Sequence, residues 1–552
     1  MTTLSEPLAD SAARAAGRAA GGPAVLLNTF DDLYSSVYRI LDDAKASHDL
    51  VKLYKGSHAS DNPHPSVLDF GSFFYRTRQG LLAYTCSARR SGTADSGDLD
   101  AYDHEHRPRI SMRAVLDQLT AASRRPGESD AAFLRYLMTR THALGAYRGG
   151  SSGYDDEARA AAAAHFNALA VPATPSQVMI FGGGAKGAFL AFCAALMCRR
   201  HHETLERAGG LLLVPEGYYQ SLRLIPPIFG GMINTVRDLS GETIQEWLSQ
   251  TAGQAHRAIY VPLVNNADGQ VLTRQRAISI ARAVLGHNAV CPDRPVYVLA
   301  DDVYAGSYLS PDLEPTPAAA ITGAVLGDSG LGRMSDWTFT VVTPSKTYAL
   351  PTARVAFATT TSPALLEATG HYRTVFSLGR IPQAMELTAA AALCLTPQAW
   401  IDNWNTRYRK RLQALADRLG AINAETGMEA FHIDMPAGGW NVPLRISPAL
   451  FPGRLTSSVD AFAILLHYQR GTRSSGIAML PGELFGHRTY ERGFVLRGTA
   501  AASSSELEEF TTRLADMARL LRGPGGAASV EYALSRARAV CDVSAILAHS
   551  PY

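Results

Sequence analysis

The sequence predicts an α/β protein with a mainly parallel central sheet flanked by helices. Apolar strand-like runs alternate with helical stretches from about residue 177 to residue 360, an alternation typical of parallel sheets. Two of these runs end in amide, carboxylate or phenol side chains, and a third ends in a glycine-rich loop. Because open parallel sheets bind ligands beyond the carboxyl ends of their strands, we expect the functional site at this edge.

Composition narrows the class of protein. The 552 residues are enough for a large core and two domains of unequal size, and the 46% hydrophobic content is ordinary for a globular protein. A formal net charge of +2, without a dense Lys/Arg block, gives no argument for nucleic acid binding. No apolar stretch approaches about 18 residues and no signal-peptide pattern is present, so we expect a cytoplasmic protein without membrane spans.

The six cysteines include no C-x-x-C pair. Cys193 and Cys198 would be conceivable metal ligands together with His201 and His202. We expect both cysteines on one apolar helix, whose spacing spreads them around its surface. The sequence therefore predicts buried structural cysteines, with neither a metal site nor disulfides.

The run TFTVVTPSKTYALPTARVAFA holds the most informative lysine of the chain. TFTVV and RVAFATTT are both typical of buried strands, so Lys346 is predicted on the turn between them, with Arg354 eight residues further on. An amine there can form a Schiff base if its surroundings lower its pKa, and the arginine can bind a phosphate. A surface lysine beside a strand-edge arginine is the alternative, and this segment alone leaves both open.

Two other predicted strands end in polar side chains. One ends in Asn265 and Asn266 before a turn and a helix, and the next ends in Asp301, Asp302 and Tyr304. Both sets belong to the carboxyl edge of the predicted sheet.

Residues 177–197 read as a strand, a glycine loop and an apolar helix, an arrangement that favours phosphate binding through backbone N–H groups. The loop also fits G-x-G-x-x-G, the pattern of nicotinamide dinucleotide sites. That pattern requires an acidic residue about 20 positions on, at the end of a strand. Glu203 and Glu206 instead lie in a segment predicted as helix and turn. A dinucleotide site is therefore the less favoured interpretation.

Taken together, these motifs resemble the fold-type I pyridoxal-phosphate (PLP) enzymes, specifically the class I/II aminotransferase family. Side chains that match the family pattern are Asn266, Asp301, Tyr304, Thr343, Ser345, Lys346 and Arg354. Further matching segments, in the family's order, are PEGYY (215–219), PAGGW (436–440), GIAMLPGELFG (476–486) and FVLRGTAAASSSELEEF (494–510). The resemblance implies the fold-type I architecture, with a smaller C-terminal α+β domain.

The resemblance also implies roles in catalysis. Lys346 would form the Schiff base with PLP and then serve as general base at the substrate Cα. Asp301 would keep the pyridine nitrogen protonated, while Asn266 and Tyr304 would hydrogen-bond the phenolic oxygen. Lys346, Asp301 and Tyr304 are thus the predicted catalytic residues.

Cofactor and substrate contacts follow from the same resemblance. Tyr218 is the first candidate to stack on the pyridine ring, ahead of Tyr219. Tyr147 matches a tyrosine that reaches the phosphate across a homodimer interface. The phosphate would be held by Gly184, the backbone N–H groups of Ala185 and Lys186, and the side chains of Thr343, Ser345 and Arg354. Substrate contacts are expected from Arg497, which would pair with an α-carboxylate, and from Asn266 and Gly71.

A domain plan follows from composition and from the resemblance. A long amphipathic helix predicted at 400–422 would connect the two main domains. The expected segments are a disordered leader (1–24), an N-terminal extension and insertion (25–146), the large PLP-binding domain (147–400), the small C-terminal domain (401–522) and a C-terminal tail (523–552).

The reaction type stays open at this stage. All of these residues serve deprotonation at Cα, and transamination is the first hypothesis. The second is elimination, γ-replacement or carbon–carbon bond formation with S-adenosylmethionine or a similar amino acid, as in aminocyclopropane-carboxylate synthases. A bulky second substrate belongs to this second hypothesis. A third is a PLP-responsive transcription regulator, but the first 146 residues show no persuasive recognition helix.

We expect PLP to be attached to Lys346, because this lysine alone combines the strand-turn setting with Ser345 before it and Arg354 after it. Borohydride reduction of the loaded protein followed by peptide mass mapping checks this. A pyridoxyl label on any other lysine would contradict the assignment.

Overall fold

The computed structural model describes residues 33–54, 156–541 and 543, except for 202–203, 377–380, 382, 397, 454, 469–474, 488–492 and 542. Its helices are α1 (Leu33–Ser47), α2 (Asp156–Ala168), α3 (Ala185–Met197), α4 (Ile225–Ile228), α5 (Gly241–Gln250), α6 (Arg274–Val290), α7 (Pro363–Phe376), α8 (Gln383–Leu395), α9 (Gln398–Thr426), α10 (Ser458–His467), α11 (Ser504–Arg522) and α12 (Gly526–Val540). Within these ranges, no helix combines the length and the apolarity needed to span a bilayer.

The strands are β1 (Asp49–Lys52), β2 (Val178–Gly182), β3 (Cys198–His201), β4 (Thr204–Arg207), β5 (Gly210–Pro215), β6 (Gly231–Val236), β7 (Arg257–Pro262), β8 (Val296–Asp301), β9 (Thr338–Val342), β10 (Val355–Thr359), β11 (Phe431–Ile433), β12 (Asn441–Ile446), β13 (Ser475–Ala478), β14 (Leu480–Pro481) and β15 (Phe494–Thr499). Seven of them form the central sheet, in the order β2-β10-β9-β8-β7-β5-β6. Only β10 runs against its neighbours.

The central sheet is buried on both faces, which explains why its strands are continuous apolar runs rather than alternating ones. One face packs against α3 and α7, through an apolar cluster that includes Phe189 and Phe339. The other packs against α5 and α6, with Trp247 and Ile280 in its cluster. The predicted α/β architecture with a mainly parallel sheet is confirmed.

A second sheet, of order β11-β12-β15-β14, lies in the C-terminal part of the chain. The 29-residue helix α9 leads into it and packs against α11. Trp400, Trp404 and Tyr408 on α9 are buried and form a chain of aromatic contacts that continues through Trp440 to Tyr304.

The N-terminal segment α1–β1 packs on this C-terminal part. Strand β1 pairs in parallel with β13, with Asp49 opposite Ser475. The Arg513 guanidinium donates to the Asp49 carbonyl at 2.5 Å, to the Asp49 carboxylate at 2.8 Å and to the Gly476 carbonyl at 3.0 Å. One buried arginine thus holds both strands of this small sheet.

The helix predicted for the segment that holds Glu206 is wrong, and Glu203 lies outside the described residues. Helix α3 ends at Met197, and β3 and β4 pair as an antiparallel hairpin with Cys198 opposite Arg207. The charged run after Met197 has no apolar stripe that could bury a helix face, so its backbone groups pair across two short strands instead. Cys193 is therefore in α3, while Cys198 begins β3, and the two do not share a helix.

Candidate active site

A cavity of about 100 Å³ opens at the carboxyl edge of the central sheet. Three neighbouring strands supply much of its wall, since Asp301 ends β8, Asn266 follows β7 and Thr343 follows β9. The lining residues are Ala185, Lys186, Phe189, Tyr219, Asn266, Asp301, Val303, Thr343, Ser345, Lys346, Pro351 and Arg354.

Lys346 lies on the tight connection between β9 and β10. The Ala349 N–H donates to its carbonyl at 2.9 Å, and the Leu350 N–H donates to the Pro344 carbonyl at 3.0 Å. Burial, together with the charges of Arg497 and other nearby cations, lowers the pKa of the Lys346 amine to about 8, while Asp301 opposes that shift. At pH 7 about a tenth of the amine is therefore neutral, and nucleophilic, far more than for an ordinary lysine.

Asp301 is the carboxylate of the cavity and is 5% exposed. Burial raises its pKa to about 6, and a hydrogen bond from the Tyr260 hydroxyl acts in the opposite direction. The Tyr260 hydroxyl donates to Asp301 Oδ2 at 2.5 Å, whereas Oδ1 receives only a 3.4 Å contact from the Val303 N–H. Asp302 is also buried but does not line the cavity.

The glycine loop and Arg354 build an anion cradle at one end of the cavity. Gly184 precedes α3 with φ 71°, and a Cβ there would lie 3.3 Å from the Arg354 guanidinium. Arg354 donates to the Gly183 carbonyl at 2.5 Å, and the Gly184 N–H donates to the Arg354 carbonyl at 2.9 Å. The first N–H groups of α3, from Ala185 and Lys186, complete a cradle suited to phosphate.

Two hydroxyls stand beside this cradle. The hydroxyls of Thr343 and Ser345 are 2.8 Å apart, and Thr343 also donates to the Val355 carbonyl at 2.7 Å. The contact fixes both side chains of the Thr-x-Ser-Lys motif next to the lysine. Apart from Tyr147, which lies outside the described residues, the predicted phosphate ligands therefore lie close together.

A polar network joins the two sheets on the substrate side. The side-chain amides of Asn266 and Asn441 donate to the Tyr304 hydroxyl, at 3.4 and 3.3 Å, and Asn441 also donates to the Asn266 carbonyl at 2.8 Å. Burial raises the pKa of the Tyr304 phenol. The Lys346 amine is 5.6 Å from the centre of the Tyr304 ring.

Arg497 ends this network as a buried cation. Its guanidinium donates to Asn266 Oδ1 at 3.0 Å and to the Tyr54 carbonyl at 2.7 Å, and it lies 5.0 Å from the centre of the Phe485 ring. It is 3% exposed, and its Nε has no hydrogen-bond partner among the residues that the structure describes. Both hydrogen-bond acceptors are neutral, so the charge is not balanced by an ion pair within the described ranges.

The structure differs from the sequence prediction at the stacking tyrosine. Tyr219 lines the cavity, whereas Tyr218 is 2% exposed and packs into the apolar cluster under the sheet. The chain turns at Glu216 and Gly217, just before these two residues. Adjacent side chains then point in different directions, and sequence matching alone could not tell which of the two faces the cavity. Tyr147 and Gly71 lie outside the described residues.

Comparison with known proteins agrees with this geometry. A family model for aminotransferase class I and II matches residues 140–514. Aspartate aminotransferase from Thermus thermophilus with maleate is 16% identical, with a TM-score of 0.56 over 94% of this chain and 100% of the other. Aspartate aminotransferase from Rhizobium meliloti is 16% identical, with a TM-score of 0.57 over 91% and 99%. Aromatic aminotransferase from Pyrococcus horikoshii is 21% identical, with a TM-score of 0.52 over 68% and 88%.

The search of curated proteins gave no match. The chain belongs to the aminotransferase class I and II family. It is accordingly a PLP-dependent transferase of fold type I, as the motifs predicted. The cavity fits PLP, because a partly neutral lysine amine, a buried carboxylate and an anion cradle all face one space.

Three contributions to the site were missed by sequence analysis. Tyr260 reaches Asp301 from the middle of β7, Asn441 reaches Tyr304 from β12, and the Tyr54 carbonyl reaches Arg497 from just beyond β1. Side chains alternate along a strand, so Tyr260 and Pro262 share one face of β7. The residues around Tyr260 in the sequence do not indicate that its partner lies on β8.

Replacing Asp301 by alanine should leave PLP bound and lower activity by about 10²–10³-fold, the usual effect of removing a group aimed at developing charge. Asp302→Ala is the matched control, because this neighbouring buried carboxyl does not line the cavity. Turnover and cofactor absorbance of both variants provide the check. Loss of activity in the Asp302 variant alone would show that the strand register is off by one residue.

The rate at which the apoenzyme captures PLP should depend on pH through Lys346. Only the neutral amine attacks the aldehyde, so the rate should fall about tenfold for each pH unit below a pKa of about 8 and level off above it. Stopped-flow absorbance measures this rate. Pyridoxal, which lacks the phosphate, is the control for phosphate ionisation, and a rate independent of pH with both aldehydes would contradict the prediction.

Proposed function

We propose that this protein is an aminotransferase that acts on an α-amino acid, with Lys346 as its covalent and proton-transferring residue. The observation that carries this proposal is the buried Arg497 guanidinium, whose hydrogen-bond acceptors in the described residues are both neutral. A buried charge without a counter-ion is costly, so the position favours binding of an anion. A substrate carboxylate supplies that anion and can form a bidentate pair.

Arg497 and Lys346 are electrostatically coupled across the same space, since the arginine is the strongest charged neighbour that lowers the lysine pKa. An α-carboxylate on Arg497 would direct the Cα–H of the substrate toward the Lys346 amine. Binding of that anion also offsets the positive charge beside Lys346. The substrate would thereby help to set the protonation state of its own base.

Each remaining side chain has a defined task in this proposal. When bound, PLP supplies an electron sink for the electron pair left at Cα. Asp301 would hold a proton at the pyridine nitrogen, and Asn266 and Tyr304 would donate to the phenolic oxygen. Lys346 would take the proton from Cα and return it to the carbon of the cofactor aldehyde group, on the other side of the substrate nitrogen. We further propose a homodimer, on the basis of the family match of Tyr147.

Elimination or γ-replacement on S-adenosylmethionine is the second candidate. It uses the same carboxylate-binding arginine, lysine and carboxylate, so the residues above are common to both. The two reactions differ in where the electron pair left at the substrate Cα goes. A transaminase stores the amino group on its cofactor and then needs a keto acid, whereas an eliminating enzyme expels a leaving group and needs none.

Incubation of the loaded enzyme with single amino acids, without any keto acid, separates these reactions. We expect the bound cofactor to change to its amine form in one stoichiometric step, followed by absorbance, and to revert when a keto acid is added. Arg497→Lys should raise the amino acid concentration needed for this step, while pyridoxal capture by Lys346 stays intact. An unchanged spectrum together with release of methylthioadenosine from S-adenosylmethionine would overturn the proposal in favour of elimination.

A further inference from the structure

Tyr260 is a buried phenol with no role in the chemistry described so far. It lies in β7, opposite Leu299 of β8, and is 0% exposed. Its ring packs edge-on against Phe189, at 6.2 Å between centroids, and Phe189 itself lines the cavity. The hydroxyl extends from this apolar packing to the Asp301 carboxylate at 2.5 Å.

The direction of this hydrogen bond follows from the chemistry of its two partners. The phenol carries one O–H proton, which it donates to Asp301 Oδ2. The ionised carboxylate, which can only accept, matches that arrangement. Burial and the Asp301 charge both raise the pKa of Tyr260, which keeps this proton on the phenol.

The contact also divides the two oxygens of the carboxylate between different tasks. Oδ2 is occupied by the short bond from Tyr260, while Oδ1 has only the long Val303 contact. Asp301 lines the cavity, so Oδ1 is the oxygen left for a donor inside it. A hydrogen bond to the charged form favours that form, in opposition to the effect of burial.

We propose that Tyr260 is a positioning residue, whose hydroxyl holds Asp301 ionised and oriented so that the carboxylate keeps the pyridine nitrogen of PLP protonated. The catalytic consequence of this inference rests on the proposed function, whereas the contact between Tyr260 and Asp301 is part of the cofactor site. Tyr219 lines the same cavity as Asp301.

The test is Tyr260→Phe, loaded with PLP carrying ¹⁵N in the ring and followed by NMR across pH. The ring nitrogen signal reports its protonation directly and independently of turnover. A hydrogen bond to a charged group is strong enough to move the protonation midpoint by about one pH unit, and we expect the variant's midpoint to fall by that amount. Conversion of the cofactor by an amino acid should slow by about tenfold in parallel.

Tyr468→Phe is the matched control. Tyr468 is also 0% exposed, but its hydroxyl has no hydrogen-bond partner among the described residues, and it follows α10 rather than lining the cavity. The control should leave the midpoint of the ring nitrogen unchanged. If the ring-nitrogen midpoint of Tyr260→Phe equals that of the unaltered protein, the proposal is overturned.

A second replacement keeps the test decisive if the phenylalanine variant does not fold. Incorporation of 3-fluorotyrosine at position 260 gives a more acidic phenol, and hence a stronger donor, at nearly the same size. The midpoint should then rise, opposite to the phenylalanine effect, whereas a purely structural role predicts no rise. If the midpoints shift as expected but no amino acid converts the cofactor, the proposed function fails while this inference stands.

Discussion

An excess of positive charge around the Lys346 amine is the constraint on which this site depends. Arg497 is buried and Lys346 half-buried, whereas Arg354 and Lys186 are exposed. The charges of Arg497, Arg354 and Lys186 each lower the pKa of the Lys346 amine, and Asp301 is the carboxylate that opposes them. Such a set is unfavourable without bound anions. A phosphate at the cradle and a carboxylate at Arg497 would balance it from opposite ends. Burial is the main cause of the lowered lysine pKa, and the same cations add to it, so the groups that would bind the ligands also prepare the nucleophile.

The backbone adopts unfavourable angles at two positions next to the anion cradle. Arg354 has φ 54° and Ala349 has φ 53°, both in the left-handed region that residues with a Cβ rarely adopt. Each such residue costs on the order of 1–3 kcal/mol and persists where its surroundings impose it. At Arg354 the surroundings are the two hydrogen bonds to Gly183 and Gly184. The connection after Lys346 is thereby tied to the start of α3, although the two are far apart in sequence.

Sequence analysis located the residues that lie within or just after contiguous apolar segments. Lys346, Asp301 and Asn266 each end or follow an apolar strand, so the alternation of strands and helices was enough to predict that they meet at one sheet edge. It failed where partners come from other elements. The Asp301–Tyr260 and Tyr304–Asn441 contacts depend on the register of neighbouring strands and on how the second sheet docks. The choice between Tyr218 and Tyr219 depended on a turn whose backbone angles no local pattern specifies.

The β3–β4 pair is a case in which local sequence predicted the wrong secondary structure. Its charged residues resemble a helix end in composition, but they form a ladder because a partner strand follows at once. Local propensity is a weak guide wherever an adjacent segment can pair.

The pairing of β1 with β13 has a consequence for how the molecule is assembled. These strands lie near opposite ends of the chain, and the Tyr54 carbonyl just beyond β1 is one of the two acceptors of Arg497. Closing so long a loop has an entropic cost, and contacts of high sequence separation form late in folding. During synthesis β1 emerges long before β13, so it has no β13 partner until the strands of the central sheet have all been made. The surroundings of Arg497 are thus completed only after those strands exist, and a chain that stops before β13 carries the strands on either side of Lys346 but lacks Arg497.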